Sequence, residues 1–171
     1  MKAYLRCVSL LLAVLLSACA LPAGAEDTAV YGDGIYEFRY PASWTCETSP
    51  DGTAVLRGDD RMSAVITFAI RTDMIGLTGD LDGDAAYIGR VLEQYGGESG
   101  SGLVLRGECE SASSRQFRGF RAFGTWGTGR RVEMVYMSGK GILFLFIFAG
   151  EEALSREGEI LASVDAAPAA P

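Results

Sequence analysis

Seven consecutive apolar residues, Ile142-Leu-Phe-Leu-Phe-Ile-Phe148, constrain the fold of this chain more than any other stretch. A helix needs about 20 apolar residues to cross a bilayer, so the run is too short for that role. Glycine-containing turns set it off from its neighbours, and it offers apolar side chains to both sides of a pleat. It reads as a central strand covered on both faces.

The surrounding sequence supplies a sheet to hold it. Tyr36, Phe38 and Tyr40 alternate with Ile35, Glu37 and Arg39, Pro41-Ala-Ser-Trp44 breaks the strand, and Ser49-Pro-Asp-Gly52 turns a hairpin into residues 53–57. Met62, Ala64, Ile66, Phe68 and Ile70 share one face of the next strand, opposite Ser63, Thr67 and Arg71, so only the first face is expected in the core. Further strands are expected at 102–109, 116–126 and 130–137. Tyr87, Ile88, Val91, Leu92 and Tyr95 recur on one helical face between an Asp84 cap and Gly96-Gly97. An acidic helix over 151–164 turns Leu154, Leu161 and Val164 inward. Strands, helix, strands, helix is an α+β order with antiparallel pairing.

Residues 1–18 have the layout of a secretory signal: Lys2 and Arg6, an apolar stretch from Val8 to Leu16, then small residues. Two cleavage points compete. Leu16-Ser17-Ala18-Cys19 resembles a lipobox, whose cysteine carries a lipid and becomes the first residue. Ala23-Gly24-Ala25 instead fits ordinary signal peptidase, which would release a soluble protein starting at Glu26. The expected organisation is a signal peptide over 1–18, a linker over 19–32, one domain over 33–165 and a disordered tail over 166–171. Losing Lys2 and Arg6 with the signal makes the net charge of −7 still more negative, which argues against nucleic acid as a partner.

The chain contains no histidine, so Ser-His-Asp and Cys-His mechanisms lack their usual base and zinc its commonest nitrogen ligand. Beyond Cys7 in the signal and Cys19 at the lipobox, Cys46 and Cys109 remain. In an exported domain the pair is a candidate disulfide, worth roughly 4 kcal/mol by chain entropy, or else two buried thiols. Asp80-Leu-Asp82-Gly-Asp84 opens like a calcium loop, but Ala85 and Val91 stand where its glycine and closing acid belong. An ordinary acidic loop is the favoured reading, and no cofactor is expected. Paired acids, Glu108 with Glu110 or Glu151 with Glu152, are the material of a carboxylate hydrolase but are expected on solvated surface. Arg115, Arg118, Arg121, Arg130 and Arg131 gather late in the chain, and Trp44 and Trp126 add aromatic surface. Trp44, Trp126, Arg118 and Arg121 form a candidate ligand surface, set against the plainer reading of sheet-face charges and core aromatics.

Three segments resemble the PsbP-like superfamily, which includes bacterial DcrB-type lipoproteins and a Ran-binding nuclear-import factor. They are Ile35-Tyr-Glu-Phe-Arg-Tyr-Pro-Ala-Ser-Trp44, the glycine-rich meander from Gly119 to Gly141, and the closing Ile160-Leu-Ala-Ser-Val164. The resemblance covers roughly residues 33–165. It implies a central antiparallel sheet with helices packed on both faces, an αβα sandwich, used for binding or assembly rather than as an enzyme. It carries over no catalytic residue. The expected function is that of a cell-envelope lipoprotein, held to the membrane by its lipid, that associates with another envelope protein. A secreted carboxylate-based hydrolase and a calcium-stabilised surface module are the alternatives.

Overall fold

The computed structural model describes residues 27–75, 102–115, 117–127 and 129–167, apart from the side chains of Ile75, Gly107 and Glu108. Along the chain, β1 (Thr28–Gly32) and β2 (Tyr36–Pro41) precede the hairpin of β3 (Thr45–Thr48) and β4 (Ala54–Arg57), then β5 (Ala64–Arg71). The long meander of β6 (Leu103–Ser114), β7 (Phe117–Trp126), β8 (Arg130–Gly139) and β9 (Ile142–Ala149) leads into α1 (Glu151–Ser163) and the two-residue β10 (Asp165–Ala166). Seven strands form one sheet in the order β3-β4-β5-β9-β8-β7-β6, and every pairing in it is antiparallel. A second, three-stranded sheet has the order β1-β2-β10.

The apolar run takes the central place expected of it. β9 lies between β5 and β8, and all of its residues are buried. Ile142, Phe144, Phe146 and Phe148 join the core that also takes Tyr36 and Phe38 of the small sheet and Ala153, Ile160 and Leu161 of α1. Leu143, Leu145, Ile147 and Ala149 join a second core with Met134 and Tyr136 on the opposite face. Each fully buried phenylalanine contributes about 1.5–3 kcal/mol. Alternation also holds in β2, where Tyr36 and Phe38 are buried while Glu37 and Arg39 are exposed.

Several expectations change. The face of β5 read as polar is the deeper one: Ser63, Val65 and Thr67 are at most 1% exposed, whereas Met62 is 61% exposed and Ile66, Phe68 and Ile70 are half-buried. Small hydroxyls tolerate this because each is bonded, Thr67 to the Tyr36 hydroxyl at 2.9 Å and Ser63 to Asp60 at 2.8 Å. Residues 28–32, read as linker, form β1, which pairs along its whole length with β2, and Ala166, read as tail, closes β10. One α-helix occurs among the described residues, on the face shared with the small sheet. The helix expected near 84–95, Asp80, Asp82 and Asp84, the signal with Cys19, and residues 168–171 lie outside the described residues.

The candidate disulfide fails on topology. Cys46 lies in β3 and Cys109 in β6, the two opposite edges of the seven-stranded sheet. With strands about 4.8 Å apart, the two are separated by roughly 25–30 Å, whereas a bridge needs α-carbons within about 7 Å. Both are free thiols, Cys46 half-buried and Cys109 exposed, and burial raises the pKa of each.

Candidate functional site

Two places gather chemistry. The first is a groove of about 540 Å³ between β2 and the last turn of α1, with Phe38 and Val30 among its apolar lining. Alternation turns Phe38 inward and Arg39 outward, while Glu159 and Ser163 reach the groove from α1. Ser163 stitches the walls together: its hydroxyl donates to the Ile160 carbonyl at 2.7 Å and accepts from the Arg39 backbone N–H at 2.8 Å. Glu37 of β2, Arg115 in the turn after β6, and Asp165 add the remaining charges of the rim. Asp165 is engaged by Lys140, and Glu159 by Arg156 at 3.2 Å. The hydrogen bond from Lys140 holds the Asp165 carboxyl below the usual carboxylate range, helped by the Ala166 N–H and the charge of Arg115. Arg39 and Arg115 line the groove and close no ion pair among the described residues.

The second place lies beneath α1. Arg121 of β7 sets its Nε 2.9 Å from Glu133 Oε1 of β8 and donates from Nη2 to Glu157 Oε1 of α1 at 2.7 Å. The Nε contact is an ion pair without an aligned hydrogen bond, since neither Nε nor Oε1 finds a partner along its bonding direction. Burial raises the Glu133 carboxyl to about 7, reinforced by a hydrogen bond with Glu157, by the charge of Glu157 and by Glu110, against the opposing pull of Arg121.

The residues proposed from sequence do not converge. Trp44 is buried and donates its indole N–H to Glu152 at 2.7 Å on the α1 face, whereas Trp126 packs against the second core on the opposite face. Arg118 is exposed, while Arg121 turns under α1 into the acid cluster. Arg131 pairs at the surface with Glu151 at 3.3 Å, so the late arginines form no continuous stripe. Glu110 is exposed, and Glu108 has no described side chain. Among the described residues no group of three or more His, Cys, Asp or Glu is placed to hold a metal.

Sequence reading missed the Glu133 and Glu157 pair, although a signal was present. Glu133 interrupts the apolar stretch of β8, and Glu157 falls on the same helical stripe as Leu154 and Leu161. An acid on the buried face of both elements calls for a partner.

No protein-family model and no curated protein matches the chain. Among solved structures it is similar to cyanobacterial PsbP (CyanoP) from Synechocystis sp. PCC 6803, with a TM-score of 0.60 and 17% sequence identity, over 85% of this chain and 95% of that one. It is also similar, at a TM-score of 0.45 and 15% identity, to LpqN, involved in cell envelope biogenesis of Mycobacterium tuberculosis, over 83% of this chain and 91% of that one. With an antiparallel central sheet and the likeness to CyanoP, this chain has a PsbP-like fold.

Proposed function

We propose that the domain is a lipid-anchored, extracytoplasmic binding or assembly module with no turnover of its own. In this reading it holds a carboxylate-bearing segment of another envelope protein in the groove between β2 and α1. The observation that carries it is the pair Arg39 and Arg115, set on the groove beside Phe38 with no ion pair among the described residues. Among the described residues, the neighbouring acids Asp165 and Glu159 are already engaged and Glu37 is not, so the rim offers two guanidinium groups against one carboxylate to an incoming acid. A carboxylate hydrolase is disfavoured because its acids must face each other about 5–10 Å apart across an open cleft. Glu133 and Glu157 instead bracket one guanidinium under a helix. The second apolar face of the sheet, with Met134, Leu143 and Leu145, suits the helix read at 84–95, which would complete an αβα sandwich.

Complementation of a deletion strain tests the groove. Arg39→Glu combined with Arg115→Glu is expected to abolish function and to weaken partner binding by about tenfold or more. Stability should stay within about 0.5 kcal/mol of the parent, because both side chains are at the surface. Full complementation by this variant, or its loss on replacing Glu110 or Glu151 alone with glutamine, would sink the reading.

The anchor is tested separately by intact mass of protein purified from envelopes. A lipidated Cys19 at the N-terminus is expected, together with a shift of Cys19→Ala from the membrane to the soluble fraction. An unmodified terminus at Glu26 ends the lipobox assignment.

A further inference from the structure

We propose that Glu133 holds a proton where it and Glu157 meet Arg121, and that this proton latches α1 onto the sheet. Glu133 comes from β8 and Glu157 from α1, with side chains 8% and 10% exposed, and Arg121 reaches both. One guanidinium offsets one carboxylate. A second ionised carboxylate at the same place is an uncompensated buried charge, a state that proteins avoid by retaining the proton.

The other groups around the pair reinforce this. Glu110 of β6 lies directly across the ladder from Arg121 and adds negative charge. On the β9 side Glu133 meets Phe148, and on the β7 side its ladder partner is Phe123, so neither neighbour brings a second cation. One protonated carboxyl, one carboxylate and one guanidinium make a neutral set. Loss of the proton places two negative charges on one positive across the helix–sheet interface.

The direction of the pH dependence follows. The folded value for Glu133, about 7, lies above its ordinary value of 4.5. The stabilisation is therefore complete below about 4.5 and is lost as pH rises through about 7. Across that window the unfolding equilibrium constant should grow by up to about tenfold per pH unit. Asp51, Asp60 and Asp165 have lowered values, so their contributions are already constant above the ordinary aspartate range. Among the described residues Glu133 is the carboxylate with a raised value, and the chain has no histidine to titrate in the same interval.

The test is a carbon-detected NMR titration of glutamate side chains in the full protein between pH 4 and 9, with melting curves over the same range. One carboxyl with a midpoint at least two pH units above ordinary glutamate is expected, and it should disappear in Glu133→Gln. The melting temperature of the parent should fall between pH 5 and 7, that of Glu133→Gln should stay level, and Glu157→Gln should behave likewise. Amide exchange in α1, corrected for intrinsic base catalysis, should rise with the same midpoint. If every glutamate of the parent titrates below pH 5, or if both glutamine variants keep the parent's melting slope, the latch does not exist. The parent titration needs no variant to fold.

Discussion

Glu152→Ala is expected to lower the melting temperature by roughly 6–12 °C and to move the emission of Trp44 to longer wavelength. The N-cap of α1 is Gly150, whose φ of 89° suits glycine and which offers no side-chain cap. The capping is done from a distant loop instead. Ser63 Oγ accepts the Glu152 backbone N–H at 3.1 Å. In return the Glu152 side chain accepts the Trp44 indole N–H at 2.7 Å and the backbone N–H groups of Asp59 at 3.3 Å and Asp60 at 3.1 Å. This is the reciprocal logic of a capping box, spread over residues far apart in sequence. Hydrogen bonds to a charged acceptor contribute about 1.5–3 kcal/mol each and do not add fully, so losing the set should cost about 3 kcal/mol. Domains of this size lose roughly 2–4 °C per kcal/mol. Measuring in a Trp126→Phe background isolates the Trp44 signal. Glu151→Ala is the control: its pair with Arg131 is mostly exposed on both sides and should change stability by no more than about 0.5 kcal/mol. A shift under about 2 °C for Glu152→Ala, with unchanged emission, would show that the loop and helix are held by other contacts.

The same hub shows which features the sequence exposes and which it hides. β2 and β9 were readable because their patterns match a covered sheet at every position: strict alternation in Tyr36 to Tyr40, and none in Ile142 to Phe148. Ser63 and Thr67 were not. Burial is set there by partners 89 and 31 residues away, Glu152 and Tyr36, which no local period reports. Strand order was hidden for a related reason. β5 pairs with β9 across the whole meander, so nothing near Cys46 or Cys109 shows that they occupy opposite edges. The groove lies between two segments, β2 and α1, whose Arg39 and Ser163 are bonded across 124 residues of sequence, so its charges look like ordinary surface residues in any local reading. Trp44 was singled out for its aromatic surface, yet it stands 5% exposed with its indole turned to Glu152.

Gly119→Ala is expected to cost roughly 3 kcal/mol or more, because no side-chain rotation can make room for the added methyl group. Gly119 lies in β7 beside Met137 of β8, with Ala112 of β6 on its other side. A β-carbon built there would sit 1.7 Å from the Tyr136 carbonyl oxygen and 2.8 Å from the Met137 α-carbon. Both are backbone atoms of the adjacent strand, so the methyl fits only if β7 moves away from β8. That would loosen the ladder which carries Tyr136 and Met137 into the two cores and sets Arg121 against Glu133. Gly158→Ala makes the opposite case within the same protein. It is exposed on α1, an added β-carbon would meet nothing within 4 Å, and its φ is not in the left-handed region. Helix propensity alone then predicts a gain of up to about 1 kcal/mol. Thermal melts of the two variants beside the parent should therefore bracket it, with Gly119→Ala lower by roughly 6 °C or more and Gly158→Ala higher by about 2 °C. If Gly119→Ala melts with the parent and retains its far-ultraviolet dichroism, β7 and β8 do not approach as closely as described, and the placement of Arg121 beneath α1 would need revision with them.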